Sequence, residues 1–141
     1  MRPLSRFLLL LVPLLVTQPA LAAELLGRVV AIQDGDTLTL LTPERRQVRV
    51  RLYGIDAPES RQPYGTRARQ ELSDLAFNRQ ARVLVEDTDR YGRTVGRVWV
   101  GSTDVNAALV CRGAAWVYRQ YNRDPGLPPL EAEARTTRRG L

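Results

Sequence analysis

Apolar and polar residues alternate along five separate segments of the chain, and this pattern predicts five β-strands. The most regular segment is "VRVRLYGI", residues 48–55, in which Val48, Val50 and Leu52 share one face while the intervening arginines share the other. The five segments are residues 27–32, 37–41, 48–55, 81–86 and 94–100.

Three further segments, residues 66–77, 104–113 and 129–140, have apolar residues at helical spacing. Asp104 is a good N-cap for the second helix, and Pro128 or Pro129 suits the start of the third. The first helix falls between the third and fourth strands. Five strands with a helix inserted there, and about three helices in all, predict an α+β domain built on an OB-fold-type Greek-key β-barrel.

The first residues have a different pattern. Two arginines precede an apolar run that ends in an Ala-x-Ala exit at Ala22, the layout of a secretory signal peptide. We expect residues 1–22 to be removed and residues 23–141 to form one exported domain, periplasmic or secreted, with no stable membrane association after cleavage. The alternative is an uncleaved membrane anchor. It is less favoured because Pro13 interrupts the run, which falls short of the roughly 20 residues that a spanning helix needs.

Composition limits the chemistry that this chain can perform. It has 21 basic and 15 acidic residues, and every basic residue is an arginine, whose planar fork suits phosphate. A bias of the genome toward arginine is an alternative explanation. The chain has no His, which excludes Ser-His and Cys-His nucleophile pairs and His-metal nucleases. Its single Cys excludes an internal disulfide and a Cys-rich zinc site.

Carboxylates and arginines cluster in three short motifs at predicted turns. Each motif alone is typical of an ordinary turn: "DGDT" at residues 34–37, where we expect Gly35 to supply a positive φ, "DAPE" at residues 56–59, and "DRYGR" at residues 89–93. Their acids would converge at one end of the barrel if the first and third strands adjoin there. The three motifs together therefore indicate a site that none of them indicates alone.

Such a site suits phosphoryl chemistry without histidine. Asp36 and Asp56, with a backbone carbonyl and water, would give a hard cation such as Ca²⁺ its oxygen ligands. Glu59 would then be free to orient or deprotonate a water molecule. Arg51 and Arg93 would flank a phosphodiester and stabilise the added charge of the transition state.

The same motifs, followed by "VNAALVCRG", resemble in order and spacing the staphylococcal nuclease-like (thermonuclease) family. The resemblance extends from about residue 27 to residue 121, and more weakly over the last helix. It implies two groups of site residues. The calcium ligands are Asp36, Asp56 and the main-chain carbonyl of Ala57, and the catalytic residues are Arg51, Glu59 and Arg93.

The resemblance also implies the reaction and its substrates. Members of this family are calcium-dependent, sugar-nonspecific endonucleases that cut DNA and RNA and leave 3′-phosphate ends. We expect single-stranded or fraying substrates, because a compact pocket cannot reach bases stacked in a duplex. We also expect a monomer.

Other residues match the family's substrate contacts less uniformly. Tyr91 lies where a family tyrosine contacts the substrate phosphate, with Arg90 beside it in place of a more usual Lys. Asp34 is expected to orient the site from behind the metal ligands. The loop between Glu59 and Tyr64 is shorter than in the best-known member, which affects substrate access.

The base-stacking tyrosines of the family match only in part. Tyr121 aligns with one of them, whereas Arg119 stands at the position of the other and Tyr118 is one place away. Stacking on Tyr118, Tyr121 or Trp116 would contribute about 1–3 kcal/mol per base. The alternative is that Trp116 belongs to the core and the tyrosines only line the rim.

Two other functions remain open at this point. A non-catalytic OB-fold module could hold single-stranded nucleic acid on the same basic, aromatic surface without cutting it. Degenerate copies in the wider family lose the metal and arginine positions, whereas this chain keeps the full set, which favours the enzyme. A saccharide-binding barrel has no specific residue in its support.

Overall fold

The computed structural model describes residues 23–141, so the expected signal peptide and its cleavage lie outside the described residues. This range contains eight strands and three helices. They are β1 Glu24–Asp34, β2 Thr37–Leu41, β3 Gln47–Leu52, β4 Ile55–Asp56, α1 Gly65–Ala76, β5 Gln80–Thr88, β6 Thr94–Val100, β7 Thr103–Asp104, α2 Val105–Cys111, β8 Trp116–Val117 and α3 Leu127–Thr136.

Five of the strands form a closed barrel. They are hydrogen-bonded in the order β3, β2, β1, β5 and β6, and β3 also pairs in parallel with β6 through residues 50–52. Strand β1 is long enough to serve two neighbours: residues 24–28 pair with β5 and residues 28–34 pair with β2. Two register irregularities within β1 let it bend between these partners. The predicted OB-fold-type α+β barrel with three helices is therefore confirmed.

The acids of the three motifs were expected to converge if the first and third strands adjoin, and this condition is not met. The first and third strands do not adjoin, because β2 lies between them. Instead, the turn that joins β1 to β2 reaches the end of β3: Thr37 is the register partner of Arg51, and the N–H of Leu52 donates to the carbonyl of Asp36 at 2.8 Å. The acids of the "DGDT" turn therefore meet β3 through β2.

The apolar face of β3 points into the core of the barrel, as its alternation predicts. Val50 and Leu52 are fully buried, together with Leu38 from β2 and Val98 from β6. Burial of each such side chain contributes about 1.5–3 kcal/mol. The opposite face of β3, which carries the arginines, is left on the outside of the barrel, where the candidate site forms.

The helices begin close to where the sequence predicts them. Asp104 accepts a hydrogen bond from the N–H of Ala107 at 3.1 Å and so caps α2, as predicted. The third helix starts at Leu127, slightly earlier than expected. No helix within residues 23–141 combines the length and apolarity needed to cross a membrane.

One predicted strand divides in two. The segment 48–55 ends as β3 at Leu52, turns, and resumes as the short strand β4. Strand β4 leaves the barrel sheet and pairs with β8, where Asp56 is the register partner of Trp116. This pairing holds the aromatic segment that follows β8 beside the strand that carries Asp56.

Candidate active site

The turn between β1 and β2 contains Gly35 because of close packing and not because of its backbone angle. Gly35 is absent from the positive-φ residues of the described range, so the prediction of a positive φ there is wrong. A Cβ at this position would lie 2.8 Å from the Cβ of Ala68 and 2.9 Å from that of Ala57. The missing side chain therefore lets this turn pack against both α1 and the segment that follows Asp56.

This packing brings the predicted metal ligands together. The N–H of Ala57 donates to Asp36 Oδ2 at 3.0 Å and to Asp56 Oδ1 at 3.1 Å. Both aspartates also contact one guanidinium: Arg51 Nη2 lies 3.5 Å from Asp36 Oδ2 and 3.2 Å from Asp56 Oδ1. The structure thus places the two predicted ligands and one predicted catalytic arginine at the same end of β3.

Arg51 is held firmly in that position. Its strand is paired on both edges, with β2 on one side and β6 on the other. Its Nη1 donates to the carbonyl oxygens of Leu52 at 3.1 Å and Ile55 at 2.9 Å. A guanidinium fixed by two carbonyls and two carboxylates has little rotational freedom left to lose when a ligand binds.

Asp36 is a buried carboxylate beside Arg51. Its residue is 7% exposed, and burial raises the pKa of its carboxyl above the usual value. Arg51 and hydrogen bonds from the Thr37 hydroxyl and the Ala57 N–H oppose this rise, while the charge of Asp56 adds to it. Because the pKa remains raised, the effect of burial outweighs the contacts that stabilise the charged form of Asp36.

These donors fit a hard divalent cation. Carboxylate and carbonyl oxygens are the ligands that Ca²⁺ takes in proteins, and two carboxylates converge here beside a main-chain segment. Among the described residues, no group of three or more His, Cys, Asp or Glu side chains is arranged to hold a metal. An ion held by Asp36 and Asp56 would therefore complete its coordination with the carbonyl of Ala57 and with water.

Glu59 lies on an exposed loop whose backbone is restrained by hydrogen bonds. Its N–H donates to Gln62 Oε1 at 2.7 Å, and its carbonyl accepts from the N–H of Gln62 at 2.8 Å. Gly65, at the start of α1, packs so closely against this loop that a Cβ there would collide with the carbonyl of Glu59. The short loop noted in the sequence is thus a compact turn that fixes the Glu59 backbone and leaves the residue exposed.

Asp34 braces the same loop from the end of β1. Its Oδ1 accepts from the backbone N–H of Ser60 at 3.1 Å and from the Ser60 hydroxyl at 2.7 Å. The contact therefore restrains the neighbour of Glu59. The expected influence of Asp34 on the metal ligands stays a prediction.

Arg93 is positioned by Asp89, a residue that sequence reasoning did not single out. Arg93 Nε donates to Asp89 Oδ2 at 2.7 Å, and the backbone N–H groups of Tyr91 and Arg93 both donate to Asp89 Oδ1 at 2.9 Å. Burial opposes ionisation of Asp89, but the hydrogen bonds from Arg93 and Tyr91 hold its pKa below the usual value. The available signal was an Asp at the start of "DRYGR", four residues before the arginine.

Glu59 and Arg93 line one open cavity of about 560 Å³. Tyr91, Gly92 and Arg49 complete its lining, and Arg49 is the second residue that sequence reasoning missed, although it lies on the same face of β3 as Arg51. Arg51, Asp36 and Asp56, which we call the Arg51 cluster, do not line this cavity. The predicted catalytic residues are therefore divided between the cavity and the cluster, which β3 and the segment 56–59 connect.

Tyr91 is 69% exposed and contacts two guanidinium groups. The Cζ atoms of Arg90 and Arg93 lie 4.9 and 5.5 Å from the centroid of its ring. At these distances the guanidinium groups interact with the ring quadrupole. The predicted phosphate contacts Arg90 and Tyr91 therefore lie directly beside Arg93.

The predicted stacking tyrosines form an exposed pair. The rings of Tyr118 and Tyr121 meet edge to face, with centroids 4.9 Å apart and an interplanar angle of 63°. Trp116 is 37% exposed, so the alternative that it belongs to the core is wrong. Because the N–H of Tyr118 donates to the carbonyl of Gly54 at 2.9 Å, the pair lies beside the turn that leads into β4.

Arg119, at the position expected for a second stacking tyrosine, is bound to α3. Its Nη2 lies 2.8 Å from Oε1 of Glu131, a buried residue whose other carboxylate oxygen accepts from the N–H of Val117. Glu131 also lies 3.5 Å from Arg135 Nη2. Arg119 therefore anchors the aromatic segment to α3.

Comparison with known proteins shows what this chain is similar to. A family model described as "Staphylococcal nuclease homologue" matches residues 49–141. "Protein ParB" of Escherichia coli is 50% identical to this chain over 139 residues, which cover 91% of this chain and 77% of the relative. "Micrococcal nuclease" of Shigella flexneri is 45% identical over 141 residues, covering 92% and 80%.

A third relative, an "Uncharacterized endonuclease" of Escherichia coli O157:H7, is 44% identical over 132 residues, covering 93% of this chain and 86% of the relative. These shares of the chain are larger than the range that the family model matches. The similarity to the relatives therefore extends into β1 and β2 and includes Asp36.

Proposed function

This chain belongs to the staphylococcal nuclease-like family and is a nuclease, and we propose that it is an exported, calcium-dependent endonuclease that hydrolyses DNA and RNA and leaves 3′-phosphate ends. One observation carries the proposal. Arg51 meets Asp36 and Asp56 at the end of β3, while Glu59 and Arg93 line one cavity. Relatives named as a micrococcal nuclease and an endonuclease support cleavage within the strand.

Asp36, Asp56 and the carbonyl of Ala57 are the groups that would hold the metal ion. When bound, a divalent cation supplies positive charge that stabilises the phosphate oxygens and favours deprotonation of a nearby water. The oxygen-only donor set and the closeness of Asp36 and Asp56, which both accept from the N–H of Ala57, support a hard cation there. Such a set also accepts Mn²⁺ or Mg²⁺, so the preference for Ca²⁺ belongs to the proposal.

Glu59 is the group that takes the proton from the attacking water. The water oxygen forms a new bond to phosphorus, the bond from phosphorus to the 5′-oxygen breaks, and that oxygen leaves as a hydroxyl after taking up a proton. The phosphate then stays on the 3′ side of the cut. The exposed position of Glu59 on a braced loop supports this role, because the carboxylate meets solvent while its backbone is held.

The arginines stabilise the charge that develops on the phosphate. Arg93 lines the cavity and has its Nε bound to Asp89, which leaves the two terminal nitrogens of the same guanidinium for the substrate phosphate. Arg51 would contact the same phosphate from its position beside Asp36 and Asp56. Groups that are positioned before the reaction stabilise the transition state without any cost of reorganisation.

The aromatic residues extend the site along the substrate. Tyr91 and Arg90 would contact a substrate phosphate, and Tyr118 with Tyr121 would stack on unpaired bases. Such a surface suits single-stranded or fraying nucleic acid. Export, with removal of residues 1–22, follows from the signal-peptide pattern, and we propose a monomer that does not stay bound to a membrane.

The test is cleavage of denatured DNA and of RNA by the purified protein, with Ca²⁺ and with a chelator, followed by analysis of the product ends. We expect cutting that depends on Ca²⁺ and leaves 3′-phosphates. Glu59→Gln should lower kcat by about 10²–10⁴-fold, the usual contribution of general acid–base catalysis. Glu44→Gln is the matched control, because it removes an exposed carboxylate from the β2–β3 turn and should keep the native rate.

Each part of the proposal has an outcome that contradicts it. Cutting in the presence of the chelator would contradict the metal requirement, and 5′-phosphate ends would contradict the bond assignment. A Glu59→Gln protein with native activity would remove Glu59 from the mechanism. Binding of strands without any cutting would favour the non-catalytic OB-fold module.

A further inference from the structure

Arg49 lines the cavity beside Glu59 and Arg93, yet it has no part in the proposed reaction. It lies on β3, opposite Thr39 of β2, two residues before Arg51. Side chains two residues apart on a strand point to the same side and are about 6.8 Å apart along it. Strand β3 therefore presents two arginines in succession on its outer face.

The three arginines around the site differ in what they already contact. Arg51 is engaged by two carboxylates and two carbonyls, and Arg93 Nε is engaged by Asp89. Within residues 23–141, the Arg49 side chain makes neither an ion pair nor a hydrogen bond, and the residue is exposed. Its guanidinium is thus available to a ligand in the cavity.

The charges of the cavity favour an anion that contacts more than one arginine. Its lining carries two guanidiniums, Arg49 and Arg93, and a single carboxylate, Glu59. Arg90 adds a third positive charge over the ring of Tyr91. An anionic ligand that reaches both Arg49 and Arg93 offsets the repulsion between them, and a concave site focuses this attraction.

The size of the cavity exceeds what one phosphate group requires. Its volume of about 560 Å³ lies within the range of roughly 300–1,000 Å³ typical of sites that enclose an entire small-molecule ligand. Arg49 lines this cavity in addition to Glu59 and Arg93, so a phosphate held by those two residues leaves Arg49 for another group. In a polynucleotide, the group that follows at short distance along the backbone is another phosphate.

We propose that Arg49 binds the phosphate next to the one that is cut, so that the site engages two consecutive phosphates of a strand. This inference rests on the proposed nuclease function and specifies its substrate: a polynucleotide with at least two phosphodiester groups is preferred to a dinucleotide. The planar fork of arginine can donate two hydrogen bonds to one phosphate. Arg49 is then a specificity-determining residue and takes no part in the bond-breaking step.

The first experiment measures binding without cleavage. A fluorescent single-stranded decanucleotide is titrated with the protein in a chelator, at several salt concentrations, and its anisotropy is recorded. Arg49→Gln should weaken binding about 3–10-fold and reduce the slope of log K against log salt by about 0.7, the change expected for one phosphate contact in a single strand. Arg46→Gln is the matched control, since it removes the same charge from an exposed position just before β3, outside the cavity.

The second experiment measures cleavage of two substrates in Ca²⁺: the decanucleotide and a dinucleoside monophosphate, which has one phosphodiester and no neighbouring phosphate. Arg49→Gln should lower kcat/KM about 5–10-fold for the decanucleotide and no more than about twofold for the dinucleotide, as for the loss of one charged contact. Arg49→Lys should recover part of the loss, because it keeps the charge but not the fork.

The outcomes separate this inference from the proposed function. An equal loss on both substrates, with a shifted pH profile, would show that Arg49 acts through Glu59 and would overturn the inference. An unchanged salt slope would overturn it as well. If the unaltered protein cuts neither substrate, the proposed function fails, and the binding experiment still decides whether Arg49 contacts a phosphate.

Discussion

Two arginines within residues 23–141 each contact two aspartates, and the two clusters differ in ion-pair distance and in the burial of their carboxylates. Arg97, on β6, contacts Asp104 and Asp124, whereas Arg51, on β3, contacts the two predicted metal ligands. The side-chain types are the same in both. Differences between the two clusters therefore come from the distances between the charges and from their burial.

The charges of Arg97, Asp104 and Asp124, which we call the Arg97 cluster, are closely paired. Its Nε lies 3.1 and 3.0 Å from the two carboxylate oxygens of Asp104, its Nη2 lies 2.7 Å from one of them, and its Nη1 contacts Asp124. Burial alone would lower the pKa of Arg97, but the two carboxylates raise it. The Gly126 N–H and Arg97 hold the pKa of Asp124 below its usual value. Each charge here has a partner, and the cluster joins β6, α2 and the loop before α3.

The charges of the Arg51 cluster are less closely paired. Its ion-pair distances are longer, 3.5 and 3.2 Å, and the pKa of the buried Asp36 is raised and not lowered. The Arg51 guanidinium divides its N–H donors among two carbonyls and two carboxylates, so its contacts with Asp36 and Asp56 are less close than those of Arg97 with Asp104.

The largest expected effect separates the two arginines by function. Arg51→Lys should reduce kcat by about 10²–10³-fold, as for the loss of one preorganised donor to a transition state, because an ammonium cannot reproduce the bidentate contact. The charge beside Asp36 is retained but the forked contacts with two carbonyls and two carboxylates are lost, so the free energy of unfolding should also fall, by about 1–3 kcal/mol. Single-turnover cleavage and thermal unfolding measure the two quantities on the same protein.

Arg97→Lys is the matched control and should lose stability without losing activity. Its rate should stay close to native, while the free energy of unfolding falls by about 1–3 kcal/mol, because two partly buried carboxylates lose a forked partner. If Arg97→Lys lost as much activity as Arg51→Lys, the distinction between the clusters would not hold. A native rate for Arg51→Lys would exclude its role as a clamp.

The next effect concerns the metal ion itself. Ca²⁺ at about 100 times its Kd should raise the free energy of unfolding by about 2.7 kcal/mol, through binding to the folded state alone. Asp36→Asn should abolish this increase, and Asp104→Asn should keep it in spite of a lower starting stability. Thermal unfolding over a Ca²⁺ titration tests this expectation. An equal Ca²⁺ response in both variants would place the ion elsewhere.

The smallest expected effect is in acid. The pKa of Asp124 in the folded protein lies below its usual value of 3.8, so its contribution to stability is present above pH 3.8 and is lost as pH falls through the lower folded value. Asp124→Asn should therefore lose stability less steeply than the unaltered protein below about pH 3.8. Because the Asp124 side chain is 26% exposed, the difference should stay below about 1 kcal/mol.

Urea unfolding between about pH 2.5 and pH 5 provides the measurement for this acid effect. Arg97 and Asp104 face the altered group, and both remain in the variant. Asp89, whose pKa is also lowered, remains in both proteins and cancels in the comparison. Parallel pH curves for the two proteins would show that Asp124 gains nothing from Arg97.

Local pattern was enough to predict much of this protein. Alternation along residues 48–52 determined which side chains enter the core, because the period of a strand is a property of its own backbone. The cap at Asp104 was equally local. The order and spacing of three motifs indicated the family, and through it the site residues Arg51, Asp56 and Glu59, before any contact between them was known.

Only the tertiary structure decided which charges meet. Sequence gives Arg49, Arg51 and Arg97 the same strand environment, yet Arg49 lines a cavity, Arg51 contacts Asp36 and Asp56, and Arg97 contacts Asp104 and Asp124. Gly35 likewise suggested a turn angle, and packing against α1 turned out to be its cause. These outcomes depend on strand order and on contacts between residues far apart in the chain, which no local period encodes.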